Sequence, residues 1–308
     1  MVERWTPALE LEEGLGADLA PVSETHLWGT VRDAAGRATC PVRSVLHGVG
    51  ARGRRLFLNQ AAADGSGLRL LPAGGLTARG APAVVDVEVL RSSTDADGRA
   101  WTVRTDGRTL RWDEDSTLRL TGAATSAALV WRLGGDVPVR YRAQVFRVAG
   151  TVGDTPVTGF LGLDRVHLLT GAFYRDDPIA RNGLLVAMFS FATEWPDGSV
   201  ESGVVAVGHD GFGYAAIHRP DQPALVTTDV DVDVVRDEGG YWPLRMDVRI
   251  AAERWEWIGD AGLRFVDYGG IENPQVDGRF RRVGDAREPV RWFAQGETVP
   301  GHGDRPRG

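Results

Sequence analysis

The sequence predicts an all-β protein built from two tandem antiparallel β-barrels. Three observations carry that prediction. Apolar and polar residues alternate along most of the chain, which is the period of a strand with one buried face. Glycine-containing turn signals separate these runs. The two halves carry similar segments in the same order.

Strand-like runs of the first half lie near 26–33, 38–47, 54–60, 83–91, 99–105, 117–121, 127–133 and 138–148. Those of the second lie near 156–164, 184–195, 200–208, 213–218, 225–235, 243–251, 253–258, 262–268, 277–283 and 289–296. The alternation is plainest in Asp-Val-Asp-Val-Asp-Val at 229–234. Asp-Gly pairs at 64–65, 97–98, 106–107, 197–198, 210–211 and 277–278 read as turns. Residues 7–20 and 57–63 are the two segments with room for a short helix.

Three pairs of segments suggest a duplication. Val84 to Val89, then Asp97-Gly-Arg-Ala-Trp101, recurs as Asp229 to Val234, then Glu238-Gly-Gly-Tyr-Trp242. Phe146-Arg-Val148 and Gly153 recur as Phe280-Arg-Arg-Val283 and Gly284. Asp33 to Gly50 pairs more loosely with Asp197 to Gly211. Each half suits an up-and-down barrel of about eight strands, whose interior can hold one small ligand. Two sandwiches are the alternative. The expected division is 1–155, 156–300 and a disordered tail at 301–308.

Composition narrows the chemistry. The chain has 308 residues, a formal net charge of −7 and 35 basic residues, all of them Arg. Without lysine there is no Schiff base, no covalently held pyridoxal phosphate and no P-loop lysine. Net acidity argues against nonspecific nucleic-acid binding. Cys40 is the single cysteine, as suits a reducing cytoplasm. The start MVERWTPALELEEG has no basic, apolar leader, so neither a signal peptide nor a membrane span is expected.

Four features then carry a family resemblance. They are Thr25-His-Leu-Trp-Gly-Thr-Val-Arg-Asp33, the segment from Gly153 to His167, the duplication, and Gly278-Arg-Phe-Arg-Arg-Val-Gly284. Together they resemble the two-domain lipocalin-like (calycin) superfamily related to carotenoid 1,2-hydratase (hydroxyneurosporene synthase), which includes lipocalin-fold pericyclases. The family often shows Asp/Glu-His-x-Trp-Gly between its domains. Here that stretch is Gly162-Leu-Asp-Arg-Val-His167, without Trp-Gly. The resemblance implies an apolar small-molecule pocket and acid/base chemistry without a cofactor.

Candidate catalytic residues follow. Asp164 and His167 are the first pair, one to donate and one to accept a proton near the inter-domain cleft. Tyr174 stands in the same polar stretch. Glu194 would act as an acid if it turned inward, since burial raises a carboxyl pKa. His26, Trp28, Thr30 and Arg32 share one strand face, so His26 could give a polar handle beside a ligand-facing Trp28. On the strand from Val186 to Trp195, Met188, Ser190, Ala192 and Glu194 lie on one side, and Phe189, Phe191, Thr193 and Trp195 on the other. Met188, Phe191, Trp255, Trp257 and Trp292 complete an expected ligand lining.

Other signals fail. Gly48-Val-Gly-Ala-Arg-Gly53 precedes a strand, not the helix a dinucleotide site needs. The six histidines lack metal spacing, and Asp229, Asp231 and Asp233 alternate roughly 6.5–7 Å apart along a strand. No metal and no cofactor are expected. The leading expectation is a cytoplasmic enzyme that hydrates, isomerises or cyclises a hydrophobic isoprenoid or polyketide. A noncatalytic carrier of an apolar ligand and an interaction scaffold are the competing readings. A homodimer stays open.

Overall fold

A computed structural model describes residues 5–14, 24–46, 53–63, 67–70, 83–85, 89–94, 100–133, 139–168, 179, 183–265 and 274–302. All its regular elements are strands. The first sheet contains β1 (Ala8–Glu12), β2 (Glu24–Arg32), β3 (Ala38–Leu46), β4 (Gly53–Ala61), β5 (Leu68–Leu70), β6 (Ala83–Val85), β7 (Val89–Thr94), β8 (Ala100–Thr105), β9 (Thr109–Glu114), β10 (Leu118–Ala124), β11 (Ala128–Leu133), β12 (Val139–Val152) and β13 (Thr155–Leu168). The second contains β14 (Leu185–Glu194), β15 (Val200–Gly208), β16 (Gly213–His218), β17 (Leu225–Thr227), β18 (Val230–Arg236), β19 (Pro243–Ile250), β20 (Glu253–Arg264), β21 (Gln275–Arg282) and β22 (Arg291–Thr298). Of the two expected helical segments, the described part of 7–20 holds strand β1, which pairs with β11, and most of 57–63 belongs to β4, which pairs with β3 and β5; residues 15–20 lie outside the described residues.

The sheets share one topology. The first runs β5-β4-β3-β2-β13-β12-β10-β9-β8-β7-β6, with β11 and β1 branching from β12; the second runs β17-β16-β15-β14-β22-β21-β20-β19-β18. In each, the opening long strand pairs with the last one. Two of the three repeated pairs fall at matching turns, whereas Val84 to Val89 begins in β6 and ends in its partner β7 while Val230 to Val234 runs along the single strand β18. The β2–β3 and β14–β15 turns hold Gly36 (φ 82°) and Gly198 (φ 83°), and the β12–β13 and β21–β22 turns hold Gly153 (φ 55°) and Gly284 (φ 88°). These left-handed positions favour glycine, so the same turn chemistry recurs because the same hairpin does.

The strand pairing bears on the expected division and corrects one expected turn. The division at 155/156 falls at the start of β13, yet β13 pairs with both β12 and β2. The change of sheet therefore comes between Leu168 and Leu185. Asp277-Gly278 is not a turn but part of β21, where Asp277 Oδ1 accepts the amides of Gly278 and Ala294.

Each sheet curls around its own core. Leu27, Val31, Trp112, Leu120, Phe146, Leu161 and Leu163 fill the first, a half-barrel. A buried ion pair of Arg43 and Glu114 sits inside it, with Trp112 Nε1 donating to Glu114 at 2.6 Å and Arg43 over the Trp101 ring at 4.3 Å. The second curls further: Val205 and Val207 of β15 meet Val232 and Val234 of β18 in one core with Phe189, Phe191, Trp255, Trp257 and Phe280, nearly closing a barrel. The chain is thus two tandem lipocalin-like antiparallel β-barrels. No helix among the described residues is long and apolar enough to cross a membrane.

The outer faces of the barrels pack together. Val145 and Phe160 of the first sheet meet Ala192 and Phe293 of the second. One layer further along, Tyr141, Ala143 and Val166 meet Val204, Ala206 and Tyr214, with Met188 packed against them. At the other end, Arg147 of β12 and Arg291 of β22 both grip Glu194, at 2.6 and 2.7 Å.

Candidate active site between the barrels

β2 and β13 place the central side chains. His26 is the direct partner of Asp164 across this pair, and Trp28 of Gly162. His26 and Trp28 do share a face, as the alternation requires. That face is not the barrel interior, which Leu27 and Val31 occupy. It looks outward toward the second sheet, where Trp28 packs on Phe293 with ring centroids 5.4 Å apart.

Asp164 is 3% exposed. Trp28 Nε1 donates to its Oδ2 at 2.8 Å, while Oδ1 accepts no hydrogen bond among the described residues. Burial pushes its pKa up to about 6; the neighbouring Tyr141 hydroxyl, His26 and Trp28 pull the other way without cancelling the desolvation. The ring of His26 is fixed from two sides. Its Nδ1 lies 2.8 Å from Ser44 Oγ and its Nε2 lies 3.2 Å from the Glu24 carboxylate, itself buried. A buried acid that is half-protonated near pH 6 thus stands beside an oriented imidazole, on a wall of Trp28, Phe293 and Tyr141. This arrangement can deliver a proton to an apolar substrate and take one back.

The other candidates fall elsewhere. β13 runs without a break in register, so residues three apart face opposite ways. His167 therefore turns away from Asp164, and its Nε2 lies 3.3 Å from Arg140 Nη1. Glu194 is buried but is held by the two arginines that join the sheets. Tyr174 lies outside the described residues. Met188 faces the first sheet, close to the Tyr141 layer. Phe191, Trp255 and Trp257 sit in the packed interior of the second barrel; Trp255 stacks on Phe280 at 4.9 Å, and Trp257 Nε1 donates to the Ala294 carbonyl at 2.8 Å. Trp292 lies between the Arg32 and Arg279 guanidinium groups and lines a cleft of about 190 Å3 with Trp195 and Arg281. Among the described residues no three His, Cys, Asp or Glu side chains gather as a metal site.

Sequence reasoning missed Tyr141, Glu24 and Ser44. Only the strand pairing reveals them, since Trp28 and Asp164 alone stand 136 positions apart.

The class of protein is defined by this architecture of paired lipocalin-like barrels. Its fold matches that of an AttH candidate from Nitrosomonas europaea, at a TM-score of 0.51 and 14% identity over 90% of this chain and 92% of that one. Kievitone hydratase from Nectria haematococca is also similar, at a TM-score of 0.48 and 10% identity over 97% of this chain and 98% of that one. So is CghA solved with Sch210972, at 0.43 and 14%, over 96% of this chain and 100% of that one. No family model and no curated protein sequence matches.

Proposed function

We propose that this protein is a cofactor-independent enzyme that hydrates, isomerises or cyclises an unsaturated isoprenoid or polyketide held between its two barrels. The observation that carries the reading is Asp164: a buried carboxyl with a pKa of about 6, in an aromatic layer beside an oriented His26. Protonated Asp164 would place its proton on a substrate double bond. In hydration, water would then add to the neighbouring carbon and lose its proton to His26. In isomerisation, His26 would instead take a proton from the substrate. Both routes restore the starting protonation state by proton exchange with each other or with solvent.

The reading is tested by incubating the protein with isoprenoid and polyketide polyenes and analysing extracts by mass spectrometry. The expected products are one water heavier or isobaric with the substrate. Asp164→Asn should abolish their formation, and His26→Ala should lower it at least tenfold. Bound but unchanged polyene with the native protein would make it a carrier instead.

A further inference from the structure

The second barrel contributes two buried polar groups to the same layer. Ser190 of β14 is the direct partner of Gln295 of β22, and the pair faces the first sheet. Their level can be fixed by walking along the packed strands. On one side lies the contact of Phe160 and Val145 with Phe293 and Ala192. On the other lies the contact of Val166 and Tyr141 with Met188 and Val204. The strands run in step, because Arg291 at the start of β22 reaches Thr158 near the start of β13, at 3.1 Å. Ser190 and Gln295 fall between these two layers, and so do Gly162 and Asp164.

Ser190 is 0% exposed and Gln295 3%. Among the described residues, neither Ser190 Oγ nor Gln295 Oε1 has a hydrogen-bond partner. An orphaned buried polar atom costs about 1–3 kcal/mol, so two side by side are an expensive arrangement unless something else meets them. Gly162 opposite presents no side chain, and its missing Cβ gives Trp28 room to lie flat over the strand.

We infer that Ser190 and Gln295 form a subsite for a hydroxyl group on an otherwise apolar ligand. The Gln295 carbonyl would accept the ligand's O–H, and the Ser190 hydroxyl would donate to the ligand's oxygen. The rest of the molecule would lie on Trp28, Phe293 and Met188. A site that hydrogen-bonds a hydroxyl rejects the analogue without one, because its own polar groups are then stranded. This deepens the proposed function and rests on its placing of the ligand between the barrels.

The test compares farnesol with farnesene, followed by tryptophan fluorescence. The native protein should bind farnesol at least tenfold more tightly. Ser190→Ala and Gln295→Met should each cut that preference to within about threefold. Neither should lower the Tm of the free protein, since each removes an orphaned group. Equal affinity for the two probes, binding of neither, or a preference untouched by both substitutions would overturn the subsite, the last meaning that a structural water alone occupies it. A Tm loss of several degrees in Ser190→Ala would overturn it too, by revealing an internal partner. Any of these results with turnover still dependent on Asp164 would remove the hydroxyl subsite and leave the acid–base reading standing.

Discussion

Replacing Asp164 by Asn should change how stability depends on pH. Its carboxyl titrates at an ordinary 3.8 when unfolded and at about 6 in the folded protein. The folded state therefore binds the extra proton between these values, and stability falls as pH rises through that window. The stabilising contribution is fully present below pH 3.8 and gone above about 6. At about 1.4 kcal/mol per pH unit, ionising the buried group costs the native protein about 3 kcal/mol. Asn keeps the shape and cannot ionise, so it escapes this cost. Urea melts of both proteins at pH 4 and pH 8 isolate the effect, because other carboxyls titrate alike in each. The stability of Asp164→Asn relative to native should rise by about 2–3 kcal/mol between these conditions. A difference that stays flat with pH would show that Asp164 is hydrated or neutralised by a partner, and the acid assigned to it would go. Any activity that needs the protonated form should decline over the same interval, as pH climbs past 6.

Three further outcomes are expected. Glu114→Gln should cost about 3–5 kcal/mol in urea melts by removing the carboxylate that neutralises Arg43 inside the first barrel; adding Arg43→Met should recover part of the loss, and a purely additive double variant would refute the pairing. Glu194→Gln should cost about 1–2 kcal/mol by calorimetry, less than a fully buried pair, because Arg147 and Arg291 are half-exposed and can turn to water. Cys40, whose thiol is pushed up to about 12 by burial and then by the Asp277 charge, should resist alkylation at pH 8 in the native state and react once unfolded; rapid native labelling would contradict its burial.

Much of the fold was legible because turn chemistry and alternation are local. Gly36 with Gly198, and Gly153 with Gly284, mark the same two hairpins twice. The faces of β14 could be sorted for the same reason. The inside could not be told from the outside on β2, where Leu27 and Val31 face the core and His26, Trp28 and Thr30 face the other barrel. Both faces are largely buried, so polarity no longer marks solvent. The pairing of Asp164 with His167 failed on strand length. A run ending near 164 leaves His167 in a loop, free to turn back, whereas β13 continues to Leu168 and fixes the two on opposite faces. Glu24, Ser44 and Tyr141 are unremarkable in sequence; antiparallel pairing over long separations brings them to Asp164.

The doubled barrel also explains how ordinary residues become a candidate catalytic layer. In a single barrel the outward positions of each strand meet water, and polar residues there carry no penalty. Asp164, His26, Ser44, Ser190 and Gln295 all occupy outward positions. The two barrels are filled by their own cores, including stacked Trp255 and Phe280 in the second. Packing one outer face on the other therefore removes water from residues that alternation alone would leave exposed. Burial dominates the shift of Asp164, which stands on the face that β2 and β13 turn toward the second barrel. A change that parted the sheets should thus return Asp164 to the usual carboxylate range without touching either barrel's interior. The acid strength of the site is in that sense a property of the paired barrels, since one barrel alone has no partner face to exclude water.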